Sequence, residues 1–310
     1  MKIKRNIKKI AVSLLVIGSA VKGYAQQDPQ YTQYMYNANM INPAYVGSKE
    51  NLSVFGMYRA QWVGLEGAPK TATISVSTPL GDKGLGLGVN FINDRIGAMD
   101  ENNISVDLSY TIDLNQDYKL AFGLKTTANI LSVDYSKLTI YDPTDPSTQL
   151  NINNKFNPNV GAGVYLFSDK AYAGISVPNF LTSDRYNDND ITVMTQKAHF
   201  YVMGGYVFDV SRDVLFKPAA LVKAVSGAPL QVDLTANFLF YEKFTLGAAY
   251  RWDASVSALA GFQINKNLFV GYSYDADTTK LNNYNSGSHE VFLRFDLFNK
   301  YNKVSTARFF

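Results

Sequence analysis

Residues Glu101 to Leu114 read E-N-N-I-S-V-D-L-S-Y-T-I-D-L, and this alternation limits what the chain can fold into. Ile104, Val106, Leu108, Tyr110, Ile112 and Leu114 share one side of an extended chain, while Ser105, Asp107, Ser109, Thr111 and Asp113 share the other. Successive side chains of a strand point to opposite faces of a sheet, so a period of two specifies a half-buried strand. The pattern returns along the chain: Leu85, Leu87, Val89 and Phe91 alternate with Gly84, Gly86, Gly88 and Asn90. Leu230, Val232, Leu234, Ala236, Phe238 and Phe240 alternate with Gln231, Asp233, Thr235 and Asn237. Either a second sheet or lipid must cover the apolar face, and the choice between them decides the function.

The first residues set the compartment. Lys2, Lys4, Arg5, Lys8 and Lys9 form a basic start, Ile10 to Ile17 an apolar run, and Gly23-Tyr24-Ala25 a small-residue cleavage site before Gln26. Residues 1–25 are predicted to be a signal peptide, and the chain to be exported. The run is shorter than the ~20 residues of a spanning helix, and no later stretch approaches that length, which excludes a helical membrane protein. Six of the 29 basic residues precede Gln26, so the remainder sets 23 against 26 acidic residues, a balance of −3 in place of the formal +3. Nothing in this charge points to nucleic acid. The chain has no cysteine, which removes disulfides, thiolate metal sites and a lipidated N-terminal cysteine.

Two kinds of connection alternate. Tight polar turns fall at Gly81-Asp82-Lys83, Asn115-Gln116-Asp117, Ser168-Asp169-Lys170, Ser211-Arg212-Asp213, Tyr241-Glu242-Lys243 and Asn265-Lys266-Asn267. Between them lie connections that are often longer: Gly64 to Pro69, Asn93 to Asn102, Val133 to Lys155, Pro178 to Lys197, Ser226 to Pro229, Trp252 to Ala254 and Asp275 to Ser288. Short periplasmic turns on one rim and longer loops on the other are the signature of an outer-membrane barrel, and the runs number about 14, an even count as such barrels require. The fold class is all-β: a transmembrane antiparallel β-barrel over residues 51–298. Half-polar strands fit a sandwich too, so the aromatic content arbitrates. The chain holds 21 Tyr and 19 Phe, and Tyr250, Trp252, Tyr272, Tyr274 and Phe298 sit near strand ends, where interfacial girdles belong. The last strand, H-E-V-F-L-R-F-D-L-F from His289 to Phe298, sets Val291, Leu293, Phe295 and Leu297 toward lipid and Glu290, Arg294 and Asp296 toward the lumen. Residues 299–310 are left as a periplasmic tail, with Lys300, Lys303 and Arg308 free to meet an acidic partner.

Residues 26–50 are the least barrel-like. Asp28 is a helix cap with Pro29 at the first helical position; Tyr31, Tyr34, Met35, Ala38 and Ile41 fall on one stripe, and Asn42-Pro43 ends it. The segment is too short to stand alone in water, so it is expected to plug the barrel near its periplasmic mouth or to bind a partner.

Here the residues resemble a known family. The stretch D-P-Q-Y-T-Q-Y-M-Y-N-A-N-M-I-N-P-A-Y-V-G-S from Asp28 is followed by Tyr58-Arg59-Ala60-Gln61-Trp62-Val63-Gly64, then by Glu66 to Thr71, Ser75 to Leu80 and Asp94-Arg95-Ile96-Gly97. Together these resemble the PorP/SprF family of the type IX secretion system. The resemblance implies an outer-membrane barrel of a Gram-negative bacterium, with both termini periplasmic and without catalysis or cofactor. Such a barrel helps to secrete large proteins carrying a type B C-terminal sorting domain and to hold them at the cell surface; in gliding bacteria these include adhesins, whereas PorP-type members are linked to the periplasmic ring, and the residues fit both branches. Its implied partners are that cargo, the translocon or periplasmic ring of the secretion machinery, and the lipid bilayer. The candidate motif and partner-binding residues are Asp28, Pro29, Tyr31, Gln33, Tyr34, Asn42, Pro43, Ala44, Tyr45, Gly47, Arg59, Gln61 and Trp62.

Other chemistry finds little support. The Gly84-Leu-Gly86-Leu-Gly88 and Gly161-Ala-Gly163 runs alternate within strands, where small inward residues leave room in the lumen and do not cradle phosphate. His199 and His289 take opposite faces of separated strands, which argues against a hydrolase or metal site. The oxygen-rich run Ser183 to Asp190 lacks the glycine and glutamate of a calcium loop. Asp107, Lys125, Asp233, Arg251, Arg294 and Asp296 are expected to face the lumen, where they could select a permeant. The competing function is therefore a fatty-acid-type transport channel, whose N-terminal hatch Asn42-Pro43-Ala44 resembles. A transporter needs a path past the hatch, whereas a secretion accessory works plugged.

Overall fold

The computed structural model describes residues 30–81, 83–138, 151–181, 183–184 and 195–297. The signal peptide, Asp28 and Pro29, Phe298, the 299–310 tail and most of the oxygen-rich run 183–190 lie outside the described residues.

Fourteen strands make up the wall: β1 (Leu52–Ala60), β2 (Lys70–Leu80), β3 (Leu85–Ile96), β4 (Met99–Asp113), β5 (Lys119–Val133), β6 (Ile152–Phe167), β7 (Ala171–Val177), β8 (His199–Tyr206), β9 (Val214–Val225), β10 (Gln231–Phe240), β11 (Phe244–Arg251), β12 (Ser255–Gln263), β13 (Leu268–Asp277) and β14 (Ser288–Leu297). Each pairs antiparallel with its sequence neighbours, and β14 returns to β1 with Leu52 opposite Leu297 and Ala60 opposite His289. The sheet thus closes on itself and leaves no edge. Two-residue stretches at Phe208–Asp209, beside β9, and at Ser183–Asp184 with Thr195–Gln196 add minor pairings.

The polarity of this barrel is inverted relative to a soluble protein. On β4, Leu108 is 53% exposed while its inward neighbour Asp107 is wholly buried. Ile74, Val89, Phe91, Val106, Leu124, Leu234, Leu293 and Phe295 are likewise exposed, whereas Ser75, Asn90, Lys125, Asp233 and Glu290 are buried. An apolar outer wall of this extent would be ruinous in water and is what a bilayer requires. Among the described residues no helix is long and apolar enough to cross a membrane, so the strands do the crossing. Tyr250, Trp252, Tyr272 and Tyr274 all point outward.

The connections divide between two rims. On one, β2 is followed by β3, β4 by β5, β6 by β7, β8 by β9, β10 by β11 and β12 by β13; on the other, β1 is followed by β2, β3 by β4, β5 by β6, β7 by β8, β9 by β10, β11 by β12 and β13 by β14. One expected loop is absent, because Asn93 to Asn102 is a hairpin turning only at Gly97 and Ala98. Here the outward residues become polar while the ladder continues: Asn93 Nδ2 donates to Asp100 at 2.7 Å and to Asn102 at 2.9 Å. Hydropathy therefore ceases to mark the strand before pairing stops. Gly97 completes the turn at φ +56°, a conformation that costs glycine little.

Candidate functional site

The lumen is occupied by the N-terminal segment. The helix expected from Asp28 to Ile41 is replaced, over its described part, by 3₁₀ turns at Tyr34–Tyr36 and Ala38–Met40, and a third turn, Pro43–Ser48, follows the Asn42-Pro43 stop; all three are buried on nearly every side. A stripe of apolar residues suits a helix with one covered face. This segment meets wall all round, and its Asn39 and Asn42 side chains bond to that wall.

Gln30 and Gln231, at the start of β10, exchange side-chain hydrogen bonds at the rim carrying the longer connections. Lys49, at the opposite rim, reaches Ser53 Oγ at 2.9 Å and Asp296 at 3.5 Å. The segment therefore enters opposite the end of β14 and winds down the whole barrel, and is not confined to the short-turn mouth.

Three sets of contacts hold it. In the first, Arg59 Nη1 bridges Asp275 (2.8 Å) and Glu290 (3.1 Å), all three buried. The same carboxylates receive the segment: Thr32 Oγ1 donates to Asp275 at 2.8 Å, and the backbone N–H groups of Thr32 and Gln33 donate to Glu290 at 3.2 and 2.9 Å. Buried charges are tolerable only when paired and hydrogen-bonded in this way.

In the second, Asn39 Nδ2 donates to Ser75 Oγ and Asn90 Oδ1, each at 2.7 Å, and Lys125 Nζ donates to the Asn39 carbonyl at 3.1 Å while pairing with Asp107 at 3.3 Å. Arg251 pairs with Asp233 at 2.6 Å, and Arg294 with Asp296 at 3.0 Å. The six lumen charges expected from the sequence do face inward, but they neutralise one another. Paired charges make a poor selectivity filter.

The third is a cradle of glycines. Asn42 caps the last turn, accepting from Ala44 N at 3.0 Å and donating to the Val164 carbonyl at 3.0 Å; Ser176 Oγ donates to the Ile41 carbonyl at 2.9 Å. The Pro43–Ser48 turn then lies against inward glycines of β3, β5 and β6. A Cβ on Gly86 would stand 2.5 Å from Gly47 Cα, and one on Gly88 2.6 Å from a Val46 methyl. Gly123 abuts the backbone of Pro43 and Ala44, and Gly163 abuts the Asn42 amide. The inward glycines expected to leave room do so, and the plug uses that room.

Aromatic packing seals the short-turn half. Tyr36 lies 4.7 Å from Phe292 and 5.4 Å from Phe269 between ring centroids, with Lys217 Nζ 5.6 Å from its own. Tyr45 meets Tyr165 edge-on at 5.6 Å. Each such buried ring stabilises docking by roughly 1.5–3 kcal/mol. Sequence reading missed Phe292 and Phe269, although their signal was present: both sit at inward parity among polar neighbours. Toward the other rim the lumen opens into a vestibule of about 110 Å³, lined by Gln30, Tyr31, Met40, Ile41, Glu101, Lys125, Tyr201 and Lys223 among others.

The candidate residues thus divide. Gln33, Tyr34, Asn42, Pro43, Ala44, Tyr45 and Arg59 are buried in the lumen, and Gly47 is half-buried against β3 and β4. Tyr31 lines the vestibule, while Gln61 and Trp62 lie in the 61–69 connection, where Trp62 N donates to Ser288 Oγ at 3.1 Å.

Comparison with curated proteins finds no match. Among solved structures, the CymD monoaromatic hydrocarbon channel is 12% identical, with 90% of this chain and 96% of that chain covered at a TM-score of 0.49. A TodX monoaromatic hydrocarbon channel mutant is 8% identical over 84% of this chain and 94% of its own, also at 0.49. A Pseudomonas aeruginosa FadL homologue is 11% identical over 87% and 95%, at 0.44. The family described as Type IX secretion system membrane protein PorP/SprF matches residues 23–295, nearly the whole closed barrel together with its plug, and the chain belongs to that family.

Proposed function

We propose that this barrel acts as a plugged, non-catalytic anchor that helps to secrete large proteins bearing a type B C-terminal sorting domain, such as adhesins, and holds them at the cell surface. Family and apolar-walled barrel together make the chain a membrane component of type IX secretion in the Gram-negative outer membrane. One observation carries the finer reading: the plug is held by buried ion pairs and a glycine cradle, which leaves binding rather than permeation as the work available. The rim with the longer connections and the vestibule is the recognition face, and Tyr31, Gln61 and Trp62 are the motif residues placed to touch a partner. Pro43 and Tyr45, being buried, position the plug. The transport reading requires the plug to leave, against all three sets of contacts.

Replacing Pro43 and Tyr45 together by alanine is expected to leave the barrel inserted while cargo display falls well below wild type. Mass spectrometry of shed and surface-bound proteins, beside a deletion strain, measures this. Normal display in the double variant would remove the plug motif from the function, and loss of hydrophobic-solute uptake with an unchanged surface proteome would favour transport.

In the proposed orientation the longer connections face outward and the end of β14 faces the periplasm; Gln30, the first described residue, then stands at the outer rim, which departs from the expectation of two periplasmic termini. The absence of cysteine makes this testable. Cysteine introduced at Asp253 is expected to react with a membrane-impermeant maleimide on intact cells, whereas cysteine at Asn115 reacts only after lysis. The reverse pattern would invert the barrel.

A further inference from the structure

The outer wall carries a feature that lipid burial alone does not explain. Lys70, the first residue of β2, and Arg95, the penultimate residue of β3, are direct cross-strand partners. Both point outward, because the adjacent pair Thr71 and Asp94 is buried in the lumen. Like charges placed opposite one another on one face of a sheet destabilise the pair. Among the described residues a carboxylate answers Arg95 alone, its Nε lying 2.9 Å from Asp100 Oδ2. Asp100 is shared, since its Oδ1 accepts from Asn93 and Asn102 at 2.7 and 3.3 Å. Lys70 is exposed and makes no ion pair among the described residues.

Height along the wall gives the pair its meaning. Descending from Lys70 and Arg95, the outward partners are Ala72 with Asn93, then Ile74 with Phe91, then Val76 with Val89. The wall passes from cation to amide to hydrocarbon within four residues, roughly 13 Å along a strand. That step is where acyl chains give way to headgroups. Two strands away through Ala60, His289 also points outward, its Nδ1 2.7 Å from Tyr272 Oη and its ring 5.2 Å from that of Tyr274. Tyrosines at this depth mark the interface.

We propose that Lys70 and Arg95 form a binding site for the phosphate of an anionic lipid headgroup in the leaflet at the rim of the longer connections. A phosphate offers several acceptor oxygens and enough charge to satisfy both cations: the Arg95 Nη groups remain available beside Asp100, and the Lys70 ammonium has three donors. This inference rests on lipid covering the outer wall.

Native mass spectrometry of the full chain in mild detergent provides the test, with bisphosphorylated lipid A, its dephosphorylated form and inorganic phosphate as probes. Wild type is expected to prefer the bisphosphorylated lipid. Affinity for it should fall about 5-fold in Lys70→Gln and about 30-fold in the Lys70→Gln/Arg95→Gln double variant. Lys266→Gln, at the other rim, should bind as wild type. The single variant keeps the Arg95–Asp100 pair, so an unstable double variant would still leave a reading. Equal binding of the dephosphorylated lipid, an unchanged double variant, or competition by inorganic phosphate at lipid-like concentration would each overturn the proposal. A chain soluble without detergent would instead overturn the membrane placement, a separate result.

Discussion

Replacing Gly123 by leucine is expected to turn a closed barrel into a conducting one. Gly123 faces inward from β5, directly against the backbone of Pro43 and Ala44. A side chain there collides with main-chain atoms, which cannot swing aside as a rotamer can. Either the wall or the plug must move. β5 is paired along its length with β4 and β6, whereas the Pro43–Ser48 turn is held by one cap, a few hydrogen bonds and close packing. Overpacking costs typically 1–3 kcal/mol even where atoms can adjust, and here adjustment means undocking. In planar bilayers the wild type should stay closed and Gly123→Leu should show stable conductance, with Tyr45 newly open to protease in the folded barrel. A variant as silent and as resistant as wild type would show that the cradle does not hold the plug.

Glu290→Ala is expected to release the other end of the segment. The Glu290 carboxylate is wholly buried; it accepts from two consecutive backbone N–H groups of the plug and pairs with Arg59. Removing it strands both donors and leaves Arg59 with Asp275 alone. Breaking a buried ion pair from one side costs about 3–5 kcal/mol, most of it the penalty of uncompensated polar groups. Hydrogen exchange should show Thr32 and Gln33 losing protection while the amides of Ala44 and Tyr45 keep theirs, and the barrel should denature at lower temperature. Uniform protection across residues 32–45 would mean that the three sets of contacts act as one unit.

Much of the wall was legible because strand alternation is a local steric fact. Asp107 and Lys125 could be placed inward and Leu108 outward from parity alone, and the closing strand from His289 onward keeps the expected faces. The short turns fell where polar residues cluster. Legibility ended where hydropathy stopped distinguishing the two faces. The Asn93 to Asn102 stretch reads as a loop, yet its amides and carboxylates pair across strands beyond the apolar band. Phe292 reads as an interruption of a polar face, and only its contact with Tyr36 explains it.

The plug was the harder case. Its apolar spacing fits one helical stripe, but enclosure on all sides removes the reason for a stripe, and Asn39 and Asn42 find partners more than thirty positions away. Sequence alone determined which side chains share the oily face of each strand, since period-two patterning acts between residues two apart and needs no knowledge of the rest of the chain; the aromatic content and the alternating connections then pointed to lipid as the cover. Tertiary structure alone decided that the inward glycines of β3, β5 and β6 form a cradle, that Arg59, Asp275 and Glu290 meet, and that the N-terminal segment fills the lumen. Those outcomes depend on which strands become neighbours and on what a closed curve of fourteen strands leaves in its middle.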